Sequence, residues 1–130
     1  QSTDPAQMAQ AVMEGVSFAM RDCQRVLADA GTSINRLLAV GGGSKSALWL
    51  KMLATNLDME IALPEDGDFG GALGAARLGL CAATGADPMN VMSMPPIKST
   101  IAPDTSLSAA YSDQYARYRA LYPAIEEASS

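Results

Sequence analysis

Three consecutive glycines followed by Ser-Lys-Ser, Gly41-Gly42-Gly43-Ser44-Lys45-Ser46, are the residues of this chain best suited to chemistry. Glycine has no Cβ, so a ligand can come up against the backbone itself, and amide N–H groups at a helix start favour anions. The stretch before the run, Ile34-Asn35-Arg36-Leu37-Leu38-Ala39-Val40, is short and apolar and reads as a buried strand. The stretch after it, Ala47 to Ala54, has helical spacing and no breaker. A strand, then glycines, then a helix start gathers main-chain donors and the positive end of a helix dipole in one small volume. That volume suits a phosphate, or the sugar–phosphate part of a nucleotide.

Other chemistries have less to work with. No histidine is present, which removes His-dependent triads, most zinc sites and imidazole acid–base catalysis. Cys23 and Cys81 fall in predicted helices with no CxxC pattern, and read as buried thiols in a reducing, cytoplasmic setting. Asp66 and Asp68 sit in a glycine-containing turn, where aspartate ordinarily serves the turn itself. No catalytic residue and no metal ligand is therefore assigned. A net charge of −5 without a basic cluster argues against nucleic acid and anionic membrane surfaces as partners. No stretch reaches the roughly 18 apolar residues that cross a bilayer.

At 130 residues, 48% of them hydrophobic, the chain is long enough for one core. It begins at Gln1 rather than Met, which suggests a piece of a longer protein. Asp4-Pro5-Ala6-Gln7 opens a long amphipathic helix that runs to about Ala30 and stops at Gly31. Its expected core face carries Met8, Val12, Val16, Ala19, Cys23, Val26, Leu27 and Ala30. After the glycine run come a helix from Ser46 to Leu57, a strand from Asp58 to Leu63 ended by Pro64, and a small-residue helix from Gly71 to Ala83. Gly71, Gly74, Ala75 and Gly79 leave one face of that helix almost bare, open to a close-packed backbone or a flat ligand. A turn or short helix spans Met89 to Met94, and Ile97 to Pro103 is extended. A last helix from about Ser106 to Ala128 carries Tyr111, Tyr115, Tyr118 and Tyr122 as a docking face, with Pro123 bending or breaking it.

The glycine run admits several readings. A Walker A loop fails, because Ser44 stands where its second glycine belongs and Ala39 where its first does. A dinucleotide fingerprint is approximated by Gly41, Gly43 and Ser46, with Glu60 or Glu65 downstream. It lacks the third glycine, a long helix precedes the first strand, and only two strands are convincing. A noncatalytic packing or oligomerisation module, whose glycines serve only helix–sheet contact, is the alternative of a different class.

The segment Gly41 to Trp49, followed by Ala54-Thr55-Asn56-Leu57, resembles the adenosine motif in the C-terminal domain of the FGGY carbohydrate kinases. Ala11 to Arg21, with Glu14-Gly15-Val16-Ser17-Phe18-Ala19 inside it, and Gly71-Ala72-Leu73-Gly74-Ala75-Ala76-Arg77 resemble two further segments of that family. The closing Tyr111, Tyr115, Tyr118, Leu121 and Tyr122 are similar to the tail of its xylulose kinases. The likeness runs in order from Asp4 to about Glu127.

The resemblance implies an α/β fold: part of an actin-like ATPase (ribonuclease H-like) domain, with short central strands flanked by helices. Residues 1–130 would be the C-terminal part of the second domain of a sugar kinase. The implied activity of the parent is ATP-dependent phosphorylation of a pentulose such as D-xylulose to its 5-phosphate, with glycerol, ribulose or gluconate as alternative substrates. Gly41, Gly42, Gly43 and Ser44 would line the adenosine and α-phosphate of ATP or ADP, and Gly71 would begin the opposite wall. Ala47 stands where some members place an asparagine near the adenine, so base recognition would rest on apolar contact and shape. Magnesium would be held mainly by segments outside this chain, and the sugar by the N-terminal domain. The chain alone would then be inert, and its first and last helices are candidates for a homodimer interface.

Overall fold

The computed structural model describes residues 4–65, 67 and 70–128. Asp4 starts the first helix, α1 (Pro5–Asp29), by accepting the Ala6 N–H at 3.0 Å, and Pro5 sets the first helical φ. The stop is equally local. Gly31 takes φ 85°, its N–H donates to the Ala28 carbonyl, and the Thr32 N–H donates to that of Leu27, both at 2.9 Å.

The centre is a three-stranded sheet among the described residues, in the order β1 (Leu37–Leu38), β2 (Ile61–Pro64), β3 (Ile97–Ile101). β1 lies parallel to β2, with Leu37 opposite Ile61, and β3 lies antiparallel to β2, with Ile101 opposite Ile61. Helix α2 (Ala47–Leu57) covers the sheet. Its Leu50, Leu53 and Ala54 bury against Ile61, with Leu37, Leu57, Leu63 and Ile101 packed around them. Helices α3 (Gly70–Thr84), α4 (Pro88–Val91) and α5 (Ser108–Ala128) follow.

Several expectations change on this frame. The strand expected over Ile34 to Val40 is only Leu37–Leu38, and Leu38 and Val40 are exposed rather than buried. The second strand starts later than Asp58, because Asp58 turns left-handed (φ 51°) and closes α2, the Met59 N–H donating to the Ala54 carbonyl at 3.1 Å. Pro64 does end the second strand, as its last paired residue. A register shift between Leu63 and Pro64 lets the ladder tolerate a residue without an N–H. The extended Ile97 segment is a true third strand, and Pro123 sits within an unbroken α5.

The largest difference concerns α1. Its buried residues are Ser17 and Phe18, while Met8, Val12, Val16, Val26 and Leu27 on the expected core face are exposed. What α1 turns toward α2 is polar. Ser17 has no exposed surface and accepts from Asn56 Nδ2 at 3.0 Å, while its own hydroxyl donates to the Glu14 carbonyl at 2.9 Å. Gln24 Nε2 donates to the Leu57 carbonyl at 3.1 Å. Every polar group in this seam has a partner, which is the condition for burying it without penalty. The cysteines are also not the buried pair expected: Cys23 is exposed and Cys81 half-buried.

Three of the four tyrosines of α5 do dock. Phe18 meets the rings of Tyr111, Tyr115 and Tyr118 at centroid distances of 6.3, 6.0 and 5.5 Å. Tyr122 stays in solvent. The Tyr115 hydroxyl donates to Asp22 Oδ1 at 2.5 Å, and Arg21 stacks on its ring at 4.5 Å. Burial, and then the bond to Asp22, raise the Tyr115 phenol above its ordinary value, and burial does the same for Tyr111.

Two outcomes follow. Asn56→Ala leaves the Ser17 hydroxyl without its donor in a closed seam, and denaturant unfolding should show a loss of about 1–3 kcal/mol. The raised phenols bind their protons longer in the folded chain than in the unfolded one. Their contribution is thus complete below the ordinary tyrosine value of about 10 and falls as pH climbs past it. Tyr115→Phe should flatten that alkaline decline in a stability-versus-pH series.

Candidate functional site

The site is assembled around Gly41, which adopts φ 84°, ψ −177°, a region open to a residue without Cβ. Its N–H donates to the Gly67 carbonyl at 2.8 Å. Its own carbonyl accepts the Ser44 N–H at 3.1 Å and the Ser44 hydroxyl at 2.7 Å. These bonds wind Gly42–Lys45 into a 3-10 turn. Ser46 then caps α2, its Oγ accepting the Trp49 N–H at 3.2 Å and its carbonyl the Leu50 N–H at 3.0 Å. With those amides spent, the N–H groups of Gly42, Gly43, Ala47 and Leu48 have no acceptor among the described residues. The turn and the helix start together present four open donors, an anion-binding surface.

Glycine is used differently at the neighbouring positions. A Cβ on Gly43 would lie 3.7 Å from Trp49 Cδ1 and Nε1, an ordinary contact, so nothing in the chain forbids a side chain there. At Gly67 a Cβ would come within 3.1 Å of Pro64 and 3.3 Å of the Ala39 carbonyl. That crowding explains how the second glycine segment closes on the first. The start of α3 rests on the same place, since a Cβ on Gly70 would meet the Val40 side chain at 3.3 Å.

Gly41, Gly42, Gly43, Ser44 and Ala47 thus form one continuous turn and helix start, and Gly71 follows the residue that touches Val40. Further along α3 the bare face meets nothing: Cβ atoms on Gly71, Gly74 and Gly79 would find no atom within 4 Å. Close helix–sheet packing therefore does not account for these glycines among the described residues. Asp66 and Asp68 lie outside the described residues. Among those described, no group of three or more His, Cys, Asp or Glu side chains is placed to hold a metal.

Sequence reasoning missed Lys98. A hollow of about 230 Å³ between the turn and the end of β2 is lined by Ser44, Lys45, Glu65, Gly67 and Lys98. Only the β2–β3 pairing brings Lys98 there, and no local pattern announces it. The hollow is smaller than the few hundred Å³ that enclose a drug-sized ligand, so a nucleotide would need further walls.

A profile of the FGGY family of carbohydrate kinases, C-terminal domain, matches residues 1–83. The chain belongs to the FGGY family. A xylulose kinase of Escherichia coli (strain K12) is 34% identical over 119 residues, 91% of this chain and 25% of that protein. The crystal structure of a "xyloylose kinase" from Brucella ovis superposes with TM-score 0.85 at 54% identity, covering 98% of this chain and 26% of that one. That of a xylulose kinase from Rhodospirillum rubrum gives TM-score 0.77 at 26% identity, covering 97% of this chain and 26% of that one. This FGGY chain therefore spans about a quarter of the length of its relatives. Its sheet and flanking helices are part of an actin-like ATPase fold.

The two kinds of glycine separate by mutation. Gly41→Ala puts a side chain into a strained backbone and should cost about 1–3 kcal/mol of stability. Gly43→Ala should stay within about 1 kcal/mol of the parent sequence, because its Cβ has room. Denaturant titration of both variants checks the contrast.

Proposed function

We propose that this chain is the nucleotide-holding part of an ATP-dependent sugar kinase, the C-terminal part of its second domain, acting on a pentulose such as D-xylulose. The observation that carries the reading is the set of open amides at Gly42, Gly43, Ala47 and Leu48, held in place by the Gly41–Gly67 bond. Likeness to xylulose kinases along nearly the whole chain supports the choice of sugar.

In this reading the amides receive the oxygens of the α-phosphate and ribose side of ATP, which needs no side-chain charge. The Ser44 hydroxyl already donates to the Gly41 carbonyl, so toward a ligand it acts as an acceptor suited to a ribose hydroxyl. Ala47 brings no side-chain donor to the base, which is then recognised by shape and apolar contact. Gly71 opens the far wall. Proton removal from the sugar, and the magnesium that accompanies ATP, belong to other parts of the polypeptide. Phosphoryl transfer depends on both, so the 130-residue chain alone turns nothing over.

Steady-state kinetics of the full-length protein test this. Gly43→Val should raise the KM for ATP by roughly tenfold or more, the loss of about 1.4 kcal/mol of binding, with the KM for D-xylulose nearly unchanged. An unchanged KM for ATP in a folded variant would remove the glycine turn from the nucleotide site. Measured across a sugar panel, kcat/KM should be greatest for D-xylulose, and a preference for glycerol or gluconate would reassign the substrate.

A further inference from the structure

One side chain stands beside the glycine turn. A Cβ added at Gly43 would find Trp49 Cδ1 and Nε1, each at 3.7 Å, whereas one at Gly41 or Gly42 would find nothing within 4 Å. Trp49 is the single tryptophan of the chain. Its side chain is half-buried and packs against the core cluster of Leu50, Leu53, Ala54 and Ile61. Its main-chain N–H is held by Ser46 Oγ at 3.2 Å. The residue is therefore fixed through its backbone by the helix cap and through its side chain by the core, with the pyrrole edge of its ring turned to Gly43.

The turn needs such a support. Its internal bonds are the Ser44 and Ser46 amides on the Gly41 and Gly43 carbonyls, at 3.1 and 3.2 Å, and its two glycines have no side chains with which to pack. Glycine backbone is the least restrained of any residue, and donors recognise a charge well only when their direction is fixed beforehand. Trp49 follows Ala47 by two residues, about 200° around the helix axis, so the two side chains leave α2 on opposite sides. Ala47 is on the side proposed for the base. Trp49 therefore acts on the turn and not on the nucleotide.

We propose that Trp49 is a positioning residue for nucleotide recognition, its indole bracing Gly43 against the core and so fixing the direction of the open amides at Gly42 and Gly43. The inference rests on the nucleotide reading above and adds to it a side chain outside the glycine run.

Steady-state kinetics of the full-length protein separate a brace from a mere core filler. Trp49→Ala should raise the KM for ATP at least about fivefold while the KM for D-xylulose moves by less than about twofold. Trp49→Phe, which keeps a flat ring in place, should return the KM for ATP to within about twofold of the parent sequence. Loss of core packing alone would lower the folded fraction, and with it the apparent kcat, but leave both KM values where they were. If Trp49→Ala does not fold, Trp49→Leu, which fills the core without a ring, is read in the same way. A folded variant without the ring whose KM for ATP is unchanged would overturn the proposal, and so would a Trp49→Phe no better than the ringless variant. Gly43→Val keeps the failures apart. A raised KM for ATP there, beside an unchanged one in the ringless variant, removes the brace alone, whereas no rise in either removes the nucleotide reading as well.

Discussion

One backbone conformation holds the site together. Gly41 at φ 84°, ψ −177° sends its N–H to Gly67 while its carbonyl takes two donors from Ser44. A Cβ would strain that conformation, and without it the 3-10 turn, the Ser46 cap and the amides beyond have nothing to register against. The contact also ties the segment after β1 to the segment after β2. Two stretches far apart in sequence therefore meet at the ends of two parallel strands, where open α/β sheets place their ligands.

The rest of the chain keeps that junction rigid. Helix α2 carries the open amides of Ala47 and Leu48 at its start and the core leucines along its length, and its far end is tied to α1 through Asn56 and Ser17. Thr55 adds a tie on the other side: its hydroxyl donates to the Lys51 carbonyl and accepts the Asp104 N–H at 2.9 Å. A helix tied on two sides at its far end and capped by Ser46 at its start presents its first-turn donors in one orientation, which is what preorganised anion recognition requires.

Much of this was legible in the sequence where the signal is local. The Asp4-Pro5 start, the Gly31 stop, the Ser46 cap and the glycine run are short-range devices, and each lies where its residues indicate. The errors are non-local. The α1 periodicity correctly marks an apolar face but does not say what covers it, and among the described residues nothing does. Leu38, Val40 and Cys23 are likewise exposed where their chemistry suggests burial. A left-handed aspartate has no periodic signature, so Asp58 reads as strand, and the extended Ile97–Ile101 carries no alternating core face to announce that it pairs with β2. Lys98 enters the hollow by Glu65 only through strand pairing, which local pattern does not encode.

Hydrogen exchange on the full-length protein, with and without saturating ADP, addresses the central claim most directly. Slowed exchange concentrated at Gly42, Gly43, Ala47 and Leu48 is the result expected if main-chain donors at this junction hold the nucleotide. ADP binding that leaves those four amides exchanging at their free rate would contradict it.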